Sequence, residues 1–264
     1  MAEAIPTPGS SAALRWQLRQ TVELTARTLE MTFPRQGRSA AARRALATQM
    51  HSVGNRSMPF MVVTMAFIGA IISFQTALQS QEILPDLSQV GATFTKLLVR
   101  DLAASVGALP LATRVGAGIA AEIGSMVVTE QVDALRMNNA DPVETLVVPR
   151  FVACVVMGTV VLVIGGFVAF GAGVVVGQLA FGIEARTFAS TALLNGGDVA
   201  LGLAKCATYG GAIALVSSER GLSAFGGSEG VGRATTEAVV GSCFAIIVLN
   251  VLLSTAGYFL LPAL

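Results

Sequence analysis

Residues 151–183 read FVACVVMGTVVLVIGGFVAFGAGVVVGQLAFGI, thirty-three positions without one acidic, basic or imidazole side chain. A bilayer core needs about 20 apolar residues of helix, so this run crosses a membrane with length to spare. At 1.5 Å per residue it extends about 50 Å against a hydrocarbon thickness of ~30 Å. It must therefore tilt, bend near Gly165-Gly166, or project from the membrane. Two further stretches, 57–81 and 238–264, are equally free of charge. Across all 264 residues 53% are hydrophobic and 12% charged, against about 25% charged in a soluble domain. That composition excludes an ordinary water-soluble enzyme and predicts at least three membrane-spanning helices.

Working outward, the first span covers about Met58 to Gln81. An acidic loop with Glu82, Pro85 and Asp86 follows. The segment 91–121 is interrupted by Lys96, Arg100, Asp101 and Arg114, yet it must cross, or the acidic loop before it and the polar stretch after it share one side. The third span lies within 151–183. A fourth covers about 191–218, with Asp198 and Lys205 near its start, and a fifth runs from about Ala238 to the C-terminus. The formal net charge of +1 averages an uneven distribution. Arg15, Arg19, Arg27, Arg35, Arg38, Arg43, Arg44 and Arg56 precede the first span. Five crossings put these with the regions 122–150 and 219–237, which hold Arg136, Arg150, Arg220 and Arg233. The opposite loops, 82–90 and 182–190, hold only Arg186. The positive-inside bias therefore predicts a cytoplasmic N-terminus and a C-terminus outside.

The N-terminal residues 1–12 are rich in Pro, Ser and Ala and read as a flexible tail; no signal-peptide h-region is present. From residue 14, Leu14, Leu18, Val22, Thr25, Leu29 and Phe33 share one helical face. Arg15, Arg19, Glu23, Arg27 and Glu30 lie largely elsewhere. This predicts an interfacial amphipathic helix broken at Pro34 and Gly37, within an interfacial region 13–56 whose arginines suit anionic headgroups. Trp16 lies off the stripe.

Soluble-enzyme chemistry finds little support. Cys154, Cys206 and Cys243 sit in apolar stretches as small hydrophobes, and a single histidine, His51, cannot build a multi-histidine metal site. The glycine-rich GGSEGVGRAT at 226–235 lacks the lysine of a P-loop and reads as a flexible loop, with the last helix starting near Arg233. Small residues recur every fourth position in three stripes: Ala112, Gly116, Ala120, Gly124; Gly165, Ala169, Gly173, Gly177; and Gly202, Cys206, Gly210, Ala214. Such stripes let helices approach closely in lipid, which favours packing within the subunit over a substrate path.

The polar segment 122–150 predicts an amphipathic helix over about 122–138, a corner at Asn138-Asn139, and a restart. Asp141 caps that restart, with Pro142 at its first position and Glu144 placed for a reciprocal bond. A short helix between two spans and parallel to the membrane has the shape of a coupling helix; a plain membrane-surface connector fits equally well.

The stretch TRVGAGIAAEIGSMVVTEQVDALRMNNADPVETLVVPRF at 113–151 resembles the signature of the MlaE/YrbE family, permease subunits of MCE-associated lipid ABC transporters. FIGAIISFQ at 67–75, LLVRDL at 97–102 and GVGRATTEAVV at 230–240 extend the resemblance over most of the chain from about Arg56. The sequence departs where family members often carry Arg-Glu-Leu-Gly-Pro and it has Arg100-Asp101-Leu102-Ala103-Ala104, and where it has Thr113-Arg114 in place of Gly-Arg. The resemblance implies an all-α integral membrane fold: an interfacial N-terminal helix, five spans, and a coupling helix between spans two and three. It implies a permease homodimer, an MlaF-like ATPase subunit that binds ATP and Mg, an MlaD-like MCE-domain protein outside, and a small STAS-type accessory subunit. No cofactor is expected in this chain and no nucleic-acid partner. The cargo would be phospholipid or a related lipid, and the location the bacterial inner membrane.

Intramembrane charges are expensive and face cavities or one another. Arg100 and Asp101 are thus the candidate lipid site, with Ile72, Phe74 and Leu78 of the first span lining acyl chains; bonding to other helices for stability is the competing role. Glu122, Glu130, Asp133 and Arg136 are candidates for the ATPase contact, or a solvated helix face. An integral-membrane lipid-modifying enzyme would need clustered acids or a nucleophile with its base, and a secondary transporter would show matching halves. Scattered acids and five spans argue against both.

Overall fold

The computed structural model describes residues 22–31, 40–83, 90–182, 184–188 and 193–260, and among them every regular element is helical. Helix α1 covers 22–31, α2 Ala40–Val53 and α3 Met58–Ile83. Helix α4, Gly91–Val128, and α6, Val143–Phe181, flank the short α5, Gln131–Met137. One turn of helix, α7 at Ala185–Phe188, precedes α8, Gly196–Leu222, and α9, Gly227–Leu260. Five of these elements are long and apolar enough to cross a membrane.

The bundle is organised around α4, whose Leu98, Ala104, Ala108, Leu111, Ala112, Ile119 and Ile123 are buried against α6, α8 and α9. Helix α3 packs on α6 at the flank, and α2 lies along α6 beside it. In lipid no hydrophobic force drives helices together, so close contact of backbones must hold them. The three small-residue stripes supply that contact inside one subunit. A Cβ on Gly69 would come 2.2 Å from the Ala169 carbonyl oxygen, one on Gly210 2.4 Å from that of Cys154, and one on Gly202 2.3 Å from that of Val99. Gly116 and Gly124 likewise face Ser217 and Ala224. Helix α9 differs: Val240, Phe244, Ile247, Val251 and Tyr258 form an exposed apolar stripe.

Three stretches of the long helices are π-helical, Leu98–Leu102 and Ala112–Gly116 in α4 and Val143–Val147 at the start of α6. Pro110, inside α4, lacks the N–H for an α-helical bond.

The structure differs from the sequence expectation at three places. Residues 122–128 continue α4, so the element expected over about 122–138 shrinks to Gln131–Met137. Left-handed Glu130, with φ of 60°, and Asn139, with φ of 55°, bracket it; the apolar run up to Val128 carries the preceding span past the polar positions that seemed to begin a new helix. Asp141 does accept a bond from the Val143 N–H at 2.8 Å, but the exposed Glu144 returns none. The glycine-rich 226–235 is no flexible loop, because α9 begins at Gly227. Arg233 stacks over the Phe225 ring at 4.9 Å and ties that start down. In α1, Val22 and Leu29 of the expected amphipathic face are exposed and Thr28 is buried; residues 1–21 and 32–39, with Pro34 and Gly37, lie outside the described residues.

Gly210→Val drives a branched side chain into the α6 backbone, whereas Gly171 has open space around it. Thermal unfolding in detergent should show Gly210→Val less stable by roughly 2 kcal/mol or more, within the range for overpacking, and Gly171→Ala unchanged or slightly more stable.

Candidate functional site

The residues that carry charge into the bundle meet where α4 and α8 touch. Asp198 and Lys205 are seven residues apart on α8, two helical turns, and so share one face. Gly202 lies between them and brings α8 onto the backbone of α4 at Val99. Arg100 donates to Asp198 Oδ1 at 2.8 Å, and Lys205 donates to Asp101 Oδ1. The neighbours Arg100 and Asp101, about 100° apart around a helix, thus engage α8 on either side of the glycine contact. The π turn at Leu98–Leu102 holds both of them, and such turns gather at functional positions.

Lys205 is 1% and Asp198 5% exposed. Burying an ion is unfavourable by several kcal/mol unless it is paired and its remaining hydrogen-bonding capacity is met. Both conditions hold here. Lys205 also donates to Ser254 Oγ on α9 at 2.7 Å, and Ser254 donates in turn to Asn250 Oδ1 at 3.3 Å. Tyr209, one turn below Lys205, donates to the same Asn250 oxygen at 2.9 Å. Asp198 Oδ2 accepts the Asn195 backbone N–H at 3.3 Å, closing a capping box at the start of α8, and faces Lys96 Nζ at 3.9 Å. One carboxylate therefore begins the helix and pairs with two cations, leaving a net positive charge at this corner.

An apolar cavity of about 370 Å³ opens beside this cluster between α4, α6 and α8. Leu98, Ala103, Leu162, Phe167, Phe170 and Leu203 are among the residues that line it. Its lining residues Thr95, Val99 and Val199 are chain neighbours of Lys96, Arg100 and Asp198. The volume falls within the ~300–1,000 Å³ of small-molecule sites.

The three apolar candidates on the first span lie elsewhere. Ile72 is half-buried against the core, Phe74 sits 5.4 Å from the Phe181 ring of α6, and Leu78 is exposed. They belong to the α3–α6 seam, while Arg100 and Asp101 turn to α8. At the opposite end of the bundle, Glu122 on α4 accepts from Arg150 of α6 at 3.1 Å. Glu130, Asp133 and Arg136 belong to the turn and short helix beyond, all exposed, with Asp133 and Arg136 paired at 3.1 Å; buried Val132 anchors that helix. The four ATPase-contact candidates thus divide between a helix-bridging ion pair and an outward surface.

Sequence reasoning missed two parts of the site. Asp198 and Lys205 stand near the start of the fourth span in the sequence reading, without a role, but their seven-residue spacing is a legible signal that both face one neighbour. Tyr209, Asn250 and Ser254 gave no signal beyond polarity inside apolar runs. A second ion cluster, in which Arg220 joins buried Glu219 to Glu237 of α9 at 3.1 and 3.2 Å, was also unforeseen.

Five apolar helices bound by close backbone contact, with paired charges buried between them, define a multi-pass helical membrane protein built to hold polar groups within the bilayer. The model of the family described as Permease MlaE matches residues 46–256, and the chain belongs to that family. Among relatives, a probable ABC transporter permease protein of Synechocystis is 37% identical over 80% of this chain and 81% of its own. One from Rickettsia felis is 35% identical over 78% and 80%, and one from Porphyra purpurea 32% identical over 74% and 75%.

Lys205→Met leaves Asp101 without its cation, and should lower stability by about 3 kcal/mol or more. Adding Asp101→Asn should recover part of that loss. A double-mutant cycle by thermal unfolding in detergent reads the coupling between the two; strictly additive effects would show that the pair does not interact.

Proposed function

We propose that this chain is the membrane-spanning permease subunit of an ATP-driven ABC transporter that moves phospholipids or related lipids between the inner membrane and the outer envelope. The observation that carries the reading is the α4–α8 charge cluster beside an apolar cavity, within a chain of a permease family. Lys96 and Arg100, partly exposed, offer positive charge where a headgroup phosphate can bind. The cavity next to them offers the apolar surface that acyl chains require. Arg100 prefers a planar, two-oxygen partner, so a phosphate competes with the Asp198 carboxylate for the same donors. In this reading Asp198 keeps Arg100 neutralised when no lipid is present, and Lys205 with Asp101 holds the helix contact while the exchange takes place.

Energy comes from a separate ATPase subunit of the MlaF type, which binds ATP and Mg. Its contact is the outward surface of Glu130, Asp133 and Arg136, and the Glu122–Arg150 pair links that surface to α4 and α6. The relatives' names as ABC transporter permeases support this assignment, as does the exposed position of the short helix. That end faces the cytoplasm with the N-terminus, and the C-terminus faces the periplasm, in keeping with the arginine distribution. Two copies of the permease form the transmembrane unit, and the exposed stripe of α9 suits such a contact. An MlaD-like MCE protein receives or delivers lipid outside, and a small STAS-type subunit accompanies the ATPase.

Arg100→Ala should abolish lipid transfer in reconstituted vesicles while the complex still co-purifies. Loss of assembly would instead give Arg100 a purely structural role. Reversing Glu130 and Asp133 to Lys should reduce ATPase co-purification at least tenfold; unchanged recovery and unchanged ATPase stimulation would remove these residues from the contact.

A further inference from the structure

At the end of the bundle away from the Asp198 cluster, the turn between α2 and α3 meets α4 around a small pocket with mixed polar and apolar walls, the latter from Val53, Val115 and Ile119. Gln49, Ser52, Arg56 and Ser57 line it from the turn side, and Arg114, Gly118 and Glu122 from α4. Three features distinguish it from an incidental gap. Arg56 and Arg114, 58 positions apart in sequence, converge on it, and neither has an acidic or hydrogen-bonding partner among the described residues. Ser57, 1% exposed, has a hydroxyl oxygen without a hydrogen-bond partner. A Cβ on Gly118 would meet nothing within 4 Å, so the α4 side of the pocket is open space.

The charges fix the kind of ligand. Among the described residues Glu122 is the only acid lining the pocket, and it is already bonded to Arg150 at 3.1 Å, leaving two guanidinium groups uncompensated. The N–H groups of Ser57 and Met58 are already bonded to the Gly54 carbonyl at 3.1 and 3.2 Å, so the donors on offer are the two guanidinium groups and the Ser57 hydroxyl. The cavity measures about 60 Å³; at roughly 10–15 Å³ per water-sized group it takes about four to six such groups, the size of a phosphate. The first charge-free span starts beside Arg56, so the pocket lies at the level where lipid headgroups sit, and basic pockets between spans at that depth suit anionic lipid.

We propose that this pocket is a second anion site, which binds the phosphate of an anionic membrane phospholipid between Arg56 and Arg114, with the Ser57 hydroxyl as a further donor. It is separate from the α4–α8 cluster and does not rest on the transport reading. Bound there, a lipid ties the α2–α3 turn to α4 at the π turn Ala112–Gly116, which contains Arg114.

The test uses the full chain in detergent, stripped of lipid and titrated with dioleoylphosphatidylglycerol while native mass spectrometry counts lipid per chain. Dioleoylglycerol, with the same chains and no phosphate, and millimolar inorganic phosphate serve as the other probes. Arg56→Gln, Arg114→Gln and Gly118→Leu should each weaken binding of one phosphatidylglycerol at least tenfold, and Arg114→Lys should retain part of it. Gly118→Leu adds bulk to the pocket without changing charge, and its Cβ meets no neighbour within 4 Å; thermal unfolding of this variant in detergent, run alongside, separates occupancy from folding. Wild-type binding by both Gly118→Leu and Arg114→Gln, or equal retention of dioleoylglycerol, would overturn the proposal. Displacement of the lipid by inorganic phosphate at equal concentration would overturn its lipid assignment in favour of a free phosphate. Binding is read on this chain alone, so the result is independent of whether transport is observed.

Discussion

A charge placed inside an apolar slab must be neutralised where it stands, because no water is at hand to do it. In this protein that requirement is met at one crossing. Lys205 cannot remain buried without Asp101, Asp198 is held by Arg100, Lys96 and the Asn195 N–H together, and these pairs depend on α8 lying directly against α4. That approach is possible because Gly202 has no side chain. The glycine and the ion pairs are therefore a single constraint: a side chain at 202 would part the helices, and parting the helices would strand two buried charges. The same contact lines one wall of the apolar cavity and, through Ser254 and Asn250, sets the position of α9.

The remainder of the bundle repeats the geometric half of this arrangement without the charges. Gly69 on Ala169 and Gly210 on Cys154 bring α3 and α8 onto α6, with dispersion and backbone proximity in place of ion pairs. Among the described residues, ion pairs between long helices return at the far end, where Glu122–Arg150 joins α4 to α6 and Glu219–Arg220–Glu237 joins α8 to α9. Apolar packing thus holds the middle, and charge fixes both ends.

The spans were legible in the sequence because their physics is local. A charge-free run such as 151–183 has one explanation, and stripes of small residues at every fourth position imply a close helix contact wherever they occur. Boundaries were less legible. The segment 122–128 continues α4 although it contains Glu122, since one acid paired to Arg150 does not interrupt a helix; the glycines at 226–232 suggested a loop, although two of them only turn the chain into α9. The site was half legible. Arg100 and Asp101 stood out as charges in a span, but their partners lie about a hundred residues away on a helix whose orientation the sequence does not state. Ile72, Phe74 and Leu78 lie on α3 beside α6, away from Arg100 and Asp101 within one chain, and apolarity does not say which neighbour a helix face meets.

The π turns give α4 a property that its length conceals. Each accommodates one residue more than an α-helical turn would, so each is a unit of slack in an otherwise rigid rod. Drawing in the extra residue at Leu98–Leu102 would rotate everything beyond it by about 100° without breaking the helix. Each residue would move one position around the helix, so that Arg100 and Asp101 would both leave the directions they now face, while the shaft running down to Glu122 and the short helix would turn with them. Placed between the charge cluster and the far end of the bundle, such slack makes α4 a shaft that can transmit torque as well as thrust.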